Sequence, residues 1–223
     1  IMPLGLPVLT NGELDFIREW IIGGAPEEGE VADTLLFEDT TRYEPPVFEI
    51  LSPPEQGIQF HLGPFEISSG LDREFFYYHP IEESQDIFIK KVEINMRPGS
   101  HHFIGYTFGQ NMPEVLYPEP FVFRDLRDED GNYIQENMVQ MAFHQFGVGT
   151  QWPHLDYHFP PGVALRMNPN LGFDLNSHYV NYSDTTMIGE VYLNLHTLEP
   201  EQVVKEANIL MMNNGDINLP PNQ

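Results

Sequence analysis

Residues 86–109, DIFIKKVEINMRPGSHHFIGYTFG, decide the fold class. Two β-rich segments flank Arg97-Pro98-Gly99, a turn signal, and neither carries a helical period. The second segment opens on adjacent histidines, His101 and His102. Successive side chains of a regular strand point to opposite faces, so two neighbours cannot ordinarily serve one site. If both do, the backbone must be twisted or bulged at that point, and a third ligand must arrive from elsewhere.

The same rhythm extends in both directions. IQFHL, REFFYYHPI, FDLNSHYVNY and GEVYLNLHTL are short and β-rich, and Pro, Gly, Asn and Asp punctuate them at close intervals. That pattern predicts a mainly β chain with an antiparallel sandwich or jelly-roll-like domain over residues 58–200. Upstream, LTNGELDFIREWIIGGAP spaces Leu14, Ile17, Trp20 and Ile21 for one helix face, and Gly23-Gly24 with Pro26 ends it. It is the only segment with a convincing helical period. Residues 29–57 read as an acidic, proline-bearing linker lying over the β domain, and residues 201–223 as a tail.

Composition narrows the function classes. Ten Lys and Arg against 34 Asp and Glu give a formal net charge of −24, which opposes nucleic acid and anionic lipid and favours cations. The 223 residues contain no cysteine. Disulfides, thiolate metal sites, cysteine nucleophiles and covalent haem attachment through CxxCH are therefore excluded within this sequence. No apolar run approaches the ~20 residues of a membrane span.

Taken in order, the 86–109 stretch, then FGVGTQWPHLDYHFPPGVALRMNPNLGFDLNSHYVN, then IGEVYLNL, resembles the N-terminal half of the catalytic core of copper type II, ascorbate-dependent monooxygenases. That family includes dopamine β-monooxygenase and peptidylglycine α-hydroxylating monooxygenase. The resemblance covers roughly residues 60–197 and implies that His101, His102 and His178 bind a single copper that transfers electrons. Three imidazoles without a thiolate suit a type II copper, and an extracytoplasmic location follows from the family. The family's oxygen-activating copper uses a His-x-His pair and a Met in a second domain. After His178 only His196 follows, and Met187 lies close behind His178 in sequence.

The opening MPLGLPVLTNGELDFIREWIIGGAP, within residues 1–28, resembles the end of a bacterial c-type cytochrome domain. There Met2 would be the haem axial ligand, on condition that a CxxCH stands upstream of Ile1. Two classes of function stay open. One is an electron-transfer domain that works with a second copper domain or an electron donor; the other is a structural subunit with homo-oligomer or filament neighbours.

Other motifs carry blander readings. His154 and His158, bracketed by Pro153 and Pro160-Pro161, read as loop residues, and His61, His79, His144 and His196 as hydrogen-bonded structural histidines. RDLRDEDGNYIQEN offers Asp128, Asp130, Asn132 and Glu136, but the EF-hand register fails, leaving a polar Asp-Gly hairpin turn with weak calcium binding at most. Asn181 in NYS is the one glycosylation sequon.

Overall fold

The computed structural model describes residues 9–29, 32–42, 44, 47–81, 85–168, 171–212 and 216–217. In chain order these form α1 (Asn11–Ile22), β1 (Gly57–Ile67), β2 (Asp72–His79), β3 (Ile87–Met96), β4 (Ser100–Phe108) and β5 (Phe123–Asp125). There follow α2 (Gln135–Met141), β6 (His144–Thr150), β7 (His154–His158), β8 (Val163–Met167), β9 (Phe173–Val180), β10 (Met187–Leu198) and β11 (Lys205–Ala207). The strands make two sheets, ordered β1-β10-β3-β8-β11, with β7 also on β3, and β5-β2-β9-β4-β6. All pairings are antiparallel except β8 with β11. The protein is a β-sandwich preceded by a short helix.

Strict alternation builds the core. On β10, Val191, Leu193 and Leu195 point inward; on β9 it is Phe173, Leu175 and Tyr179; Phe60, Phe75, Ile94 and Phe103 complete one continuous cluster. Full burial of each such side chain contributes about 1.5–3 kcal/mol. The opposite face of β10 carries Tyr192, Asn194 and His196. Residues 48–52 cover it: Asn194 Nδ2 donates to the Ser52 carbonyl (2.9 Å), Asn95 Nδ2 to that of Glu49 (2.9 Å), and Phe48 meets Tyr192. The end of the acidic segment thus lies over the first sheet.

Three local expectations are corrected. A second helix, α2, follows the Asp-Gly turn; it spans two turns and buries Asn137 and Gln140 rather than apolar groups, so it leaves no hydrophobic period to read. His154 and His158 lie on a strand, β7, paired with Asn95 and Lys91 of β3. Their flanking prolines bound that strand. Finally, Lys205–Ala207 pairs in parallel with β8, so the sheet extends into the segment read as a tail.

The helix α1 begins with a reciprocal cap, Thr10 Oγ1 accepting from the Glu13 amide and the Thr10 amide donating to the Glu13 carboxylate. It packs on residues Thr34–Glu38, with Phe16 stacked on Phe37 at 4.6 Å. This mini-cluster does not cover the predicted apolar face: Leu14, Ile17, Trp20 and Ile21 remain exposed, as does Ile22 at 70%. No described helix is long and apolar enough to cross a membrane.

Glu93, on β3, is the electrostatic centre of the first sheet's outer face. Burial pushes its pKa up, but Lys91 (2.6 Å), His196 (2.5 Å) and Asn194 (3.2 Å) outweigh that and hold it at about 2. A carboxylate depressed in the folded state stabilises it fully above the unfolded pKa, and that contribution fades as pH falls through the folded value. The melting temperature should therefore drop more steeply between about pH 4.5 and 2 in the native protein than in Glu93→Gln. Parallel pH profiles for the two would assign the acid sensitivity elsewhere.

Candidate metal centre

The Arg97-Pro98-Gly99 turn reverses the chain between β3 and β4. Gly99 sits at φ +101°, a conformation that favours glycine, and it packs against the flexible Met187 thioether. Ser100 then pairs with Tyr179, and His102 with His178. Two steps along β4 match one along β9, which makes His101 the extra residue of a β-bulge. The bulge turns the His101 side chain toward the face its neighbour already occupies. His102 and His178 are direct cross-strand partners, and Glu74 of β2 lies opposite His178 on its other side.

One ring nitrogen from each of His101, His102 and His178 lies within 4.8 Å of the others, and this is the one group of three or more His, Asp or Glu ligands among the described residues. Ring centroids are 4.9–5.4 Å apart. His101 is exposed and the other two are half-buried. The sequence-derived set is brought together complete.

Hydrogen bonds fix which nitrogens face the centre. Asn176 Nδ2 donates to Glu74 (3.1 Å) and to the Phe75 carbonyl (3.2 Å), leaving its Oδ1 to accept from His102 Nε2 at 2.8 Å. His178 Nε2 meets Asp72 Oδ1 at 2.7 Å. Both Nε2 atoms face acceptors and so carry the protons, leaving both Nδ1 lone pairs free. His101 Nδ1 lies 3.2 Å from His102 Nδ1. Converging lone pairs repel unless a proton or a cation sits between them, and a cation with bonds of about 2 Å fits that geometry.

The local charges follow. The hydrogen bond from His102 holds the Glu74 carboxyl below its usual range against opposing burial. Burial lowers the pKa of His102, but Glu74 and Asn176 outweigh it and raise the net value. For His101, burial and the neighbouring imidazoles act together and lower it.

The remaining candidates fall outside this centre. Asp128 accepts from the amides of Asp130 (3.0 Å) and Asn132 (2.8 Å), closing the hairpin turn bridged by Arg127 and Tyr133; its carboxylate is engaged in the turn, and Asp128, Asp130 and Glu136 form no ligand group. Asn181 is buried, its Nδ2 donating to the Ile67, Ser68 and Thr185 carbonyls. The nitrogen that a glycan would occupy thus donates to these three carbonyls in the folded chain. His61 meets Glu190, His79 the Pro80 carbonyl, His144 Asp174 and His196 Glu93. His154 meets Asn95 and His158 meets Asp156. Met2 lies outside the described residues. No family model matches the chain, and no curated protein matches it.

Sequence reading missed Asp72, Glu74 and Asn176. Asn176 was within reach, two residues before His178 and therefore on the same strand face. Asp72 and Glu74 carry no local signal. Removing an outer hydrogen-bond partner of this kind typically costs 10–100-fold in metal affinity. Asp72→Ala should weaken metal binding by about that factor while leaving the melting temperature of the metal-free protein nearly unchanged, because Asp72 is exposed. Unchanged affinity would remove Asp72 from the centre.

Proposed function

We propose that this chain is the copper-binding, electron-transfer domain of a copper type II monooxygenase-like protein. The convergence of His101, His102 and His178, with two of the three Nδ1 lone pairs preset by Asn176 and Asp72, is the observation that carries this reading. The residues present fit the ion. Three neutral imidazoles form a borderline-soft set suited to both copper oxidation states, and no thiolate or carboxylate competes for the inner positions. Copper held there would supply a one-electron Cu(II)/Cu(I) couple.

The protein groups divide the work. Asn176 and Asp72 hold two imidazoles in orientation, Glu74 adds negative charge beside His102, and exposed His101 leaves one side open to an electron donor or a second copper domain. An extracytoplasmic location belongs to the same proposal. A haem c would join it only through a CxxCH upstream of Ile1.

Titration with Cu(II), followed by electron paramagnetic resonance, should give an axial type II signal saturating at a single equivalent. His178→Ala should abolish it. Ascorbate should bleach the signal, and with O₂ and a phenethylamine or peptidylglycine substrate this chain alone should yield no hydroxylated product, since a one-electron centre does not organise both O₂ and a C–H bond. A signal that survives His178→Ala, or hydroxylated product from this chain, would contradict the proposal.

One observation favours a second reading, a subunit of a surface assembly: Ile21 and Ile22 stay exposed on α1. Assembly through that face predicts concentration-dependent sedimentation that Ile22→Asp suppresses. A monomer at every concentration would exclude it.

A further inference from the structure

The outer face of the second sheet holds a second cluster, at the other end of β9 from His178. Asp174 of β9 is fully buried, yet it bonds His144 Nε2 at 2.9 Å and pairs with Arg124. Arg124 is itself held by Asn137 and Gln140 of α2. Burying a charged pair adds little net stability, because desolvation offsets the attraction. The cluster is better explained by what it presents.

It presents His144. A carboxylate at Nε2 keeps the proton there, so the Nδ1 lone pair is an acceptor. No described group hydrogen-bonds Nδ1. Among the described residues the sealed side-chain polar atoms without partners are Arg124 Nε, Ser177 Oγ and Tyr179 Oη, so Nδ1 is not sealed, although only 5% of the His144 side chain is exposed. The ring cannot swing away: Tyr106 stacks on it at 4.6 Å and 10°, and Phe76 and Phe108 close on it at 5.1 and 5.2 Å.

His144 lines a cleft of about 1220 Å³ at the edge where β6 faces β8. Its walls pair aromatic rings (Tyr106, Phe108, Phe146) with flexible thioethers (Met141, Met167, Met211), surfaces that accommodate flat π systems. Arg166, the one charged side chain among the described lining residues, is neutralised by Asp86 at 2.5 Å and by Glu206. With the net charge of −24, this disfavours anions, and the described lining residues include no carboxylate to attract a cation. We propose that the cleft binds a neutral aromatic molecule bearing a hydroxyl group, a phenol-type ligand whose O–H donates to His144 Nδ1. The proposal stands independently of the copper reading.

The test is a nuclear magnetic resonance titration of ¹⁵N-labelled protein with 4-ethylphenol and, separately, with 4-ethylanisole, which has the same ring but no O–H. The phenol should shift Gln145–Gly147 and Leu165–Met167 saturably at roughly millimolar concentration or below. It should bind about fivefold more tightly than the anisole, the effect of one net hydrogen bond. His144→Phe should erase that preference. Leu171→Trp, a larger side chain at a lining residue that makes none of the Asp174 cluster's hydrogen bonds, should abolish binding with the fold checked by its amide spectrum, and tests the cleft separately if His144→Phe fails to fold. Equal affinity for the two probes, shifts confined to other regions, no saturable binding, or binding retained in Leu171→Trp would each overturn the proposal.

Discussion

One extra residue in β4 determines what this sandwich can hold. Without the bulge at His101, alternation would send one histidine of the pair toward the core and the other toward solvent, and His178 would have a single partner. The bulge is anchored from both sides. Below it, Gly99 turns the chain at φ +101° and packs against Met187; above it, β4 runs in regular register with β9 from His102 to Thr107. The irregularity is therefore confined to the point where the side chains must converge.

The second sheet's outer face shows how an antiparallel layer can carry chemistry without compromising its core. On β9, Phe173, Leu175 and Tyr179 join the apolar cluster, while Asp174, Asn176 and His178 face away. Each outward residue answers to a different neighbour: Asp174 to His144 and Arg124, Asn176 to Glu74 and His102, His178 to Asp72. Asp174 and Asn176 are nonetheless buried, so their polar atoms require partners. Those partners order the side chains, and at His102 and His178 the ordering fixes the tautomer as well.

The sequence carried the architecture because alternation and turn residues are local signals. The strands around residues 86–109, the β domain and the three histidines were all legible, and the need for a bulge followed from the pair being adjacent. What escaped reading depended on distant chain. The helix α2 buries amides instead of apolar groups; β7 sits between prolines that read as loop markers; β11 gains its identity only from β8. Asp72 and Glu74 enter the centre because β2 lies beside β9, a pairing no short window encodes. The sequon at Asn181 reports three residues and not the carbonyls of Ile67, Ser68 and Thr185 that surround the amide.

Diffraction from copper-soaked crystals, collected on both sides of the copper absorption edge, tests the central claim most directly. The account predicts one dominant anomalous peak about 2 Å from a ring nitrogen of each of His101, His102 and His178, with the His102–Asn176 and His178–Asp72 hydrogen bonds retained. A dominant peak at any other histidine, or one bonded to only part of the three, would contradict it.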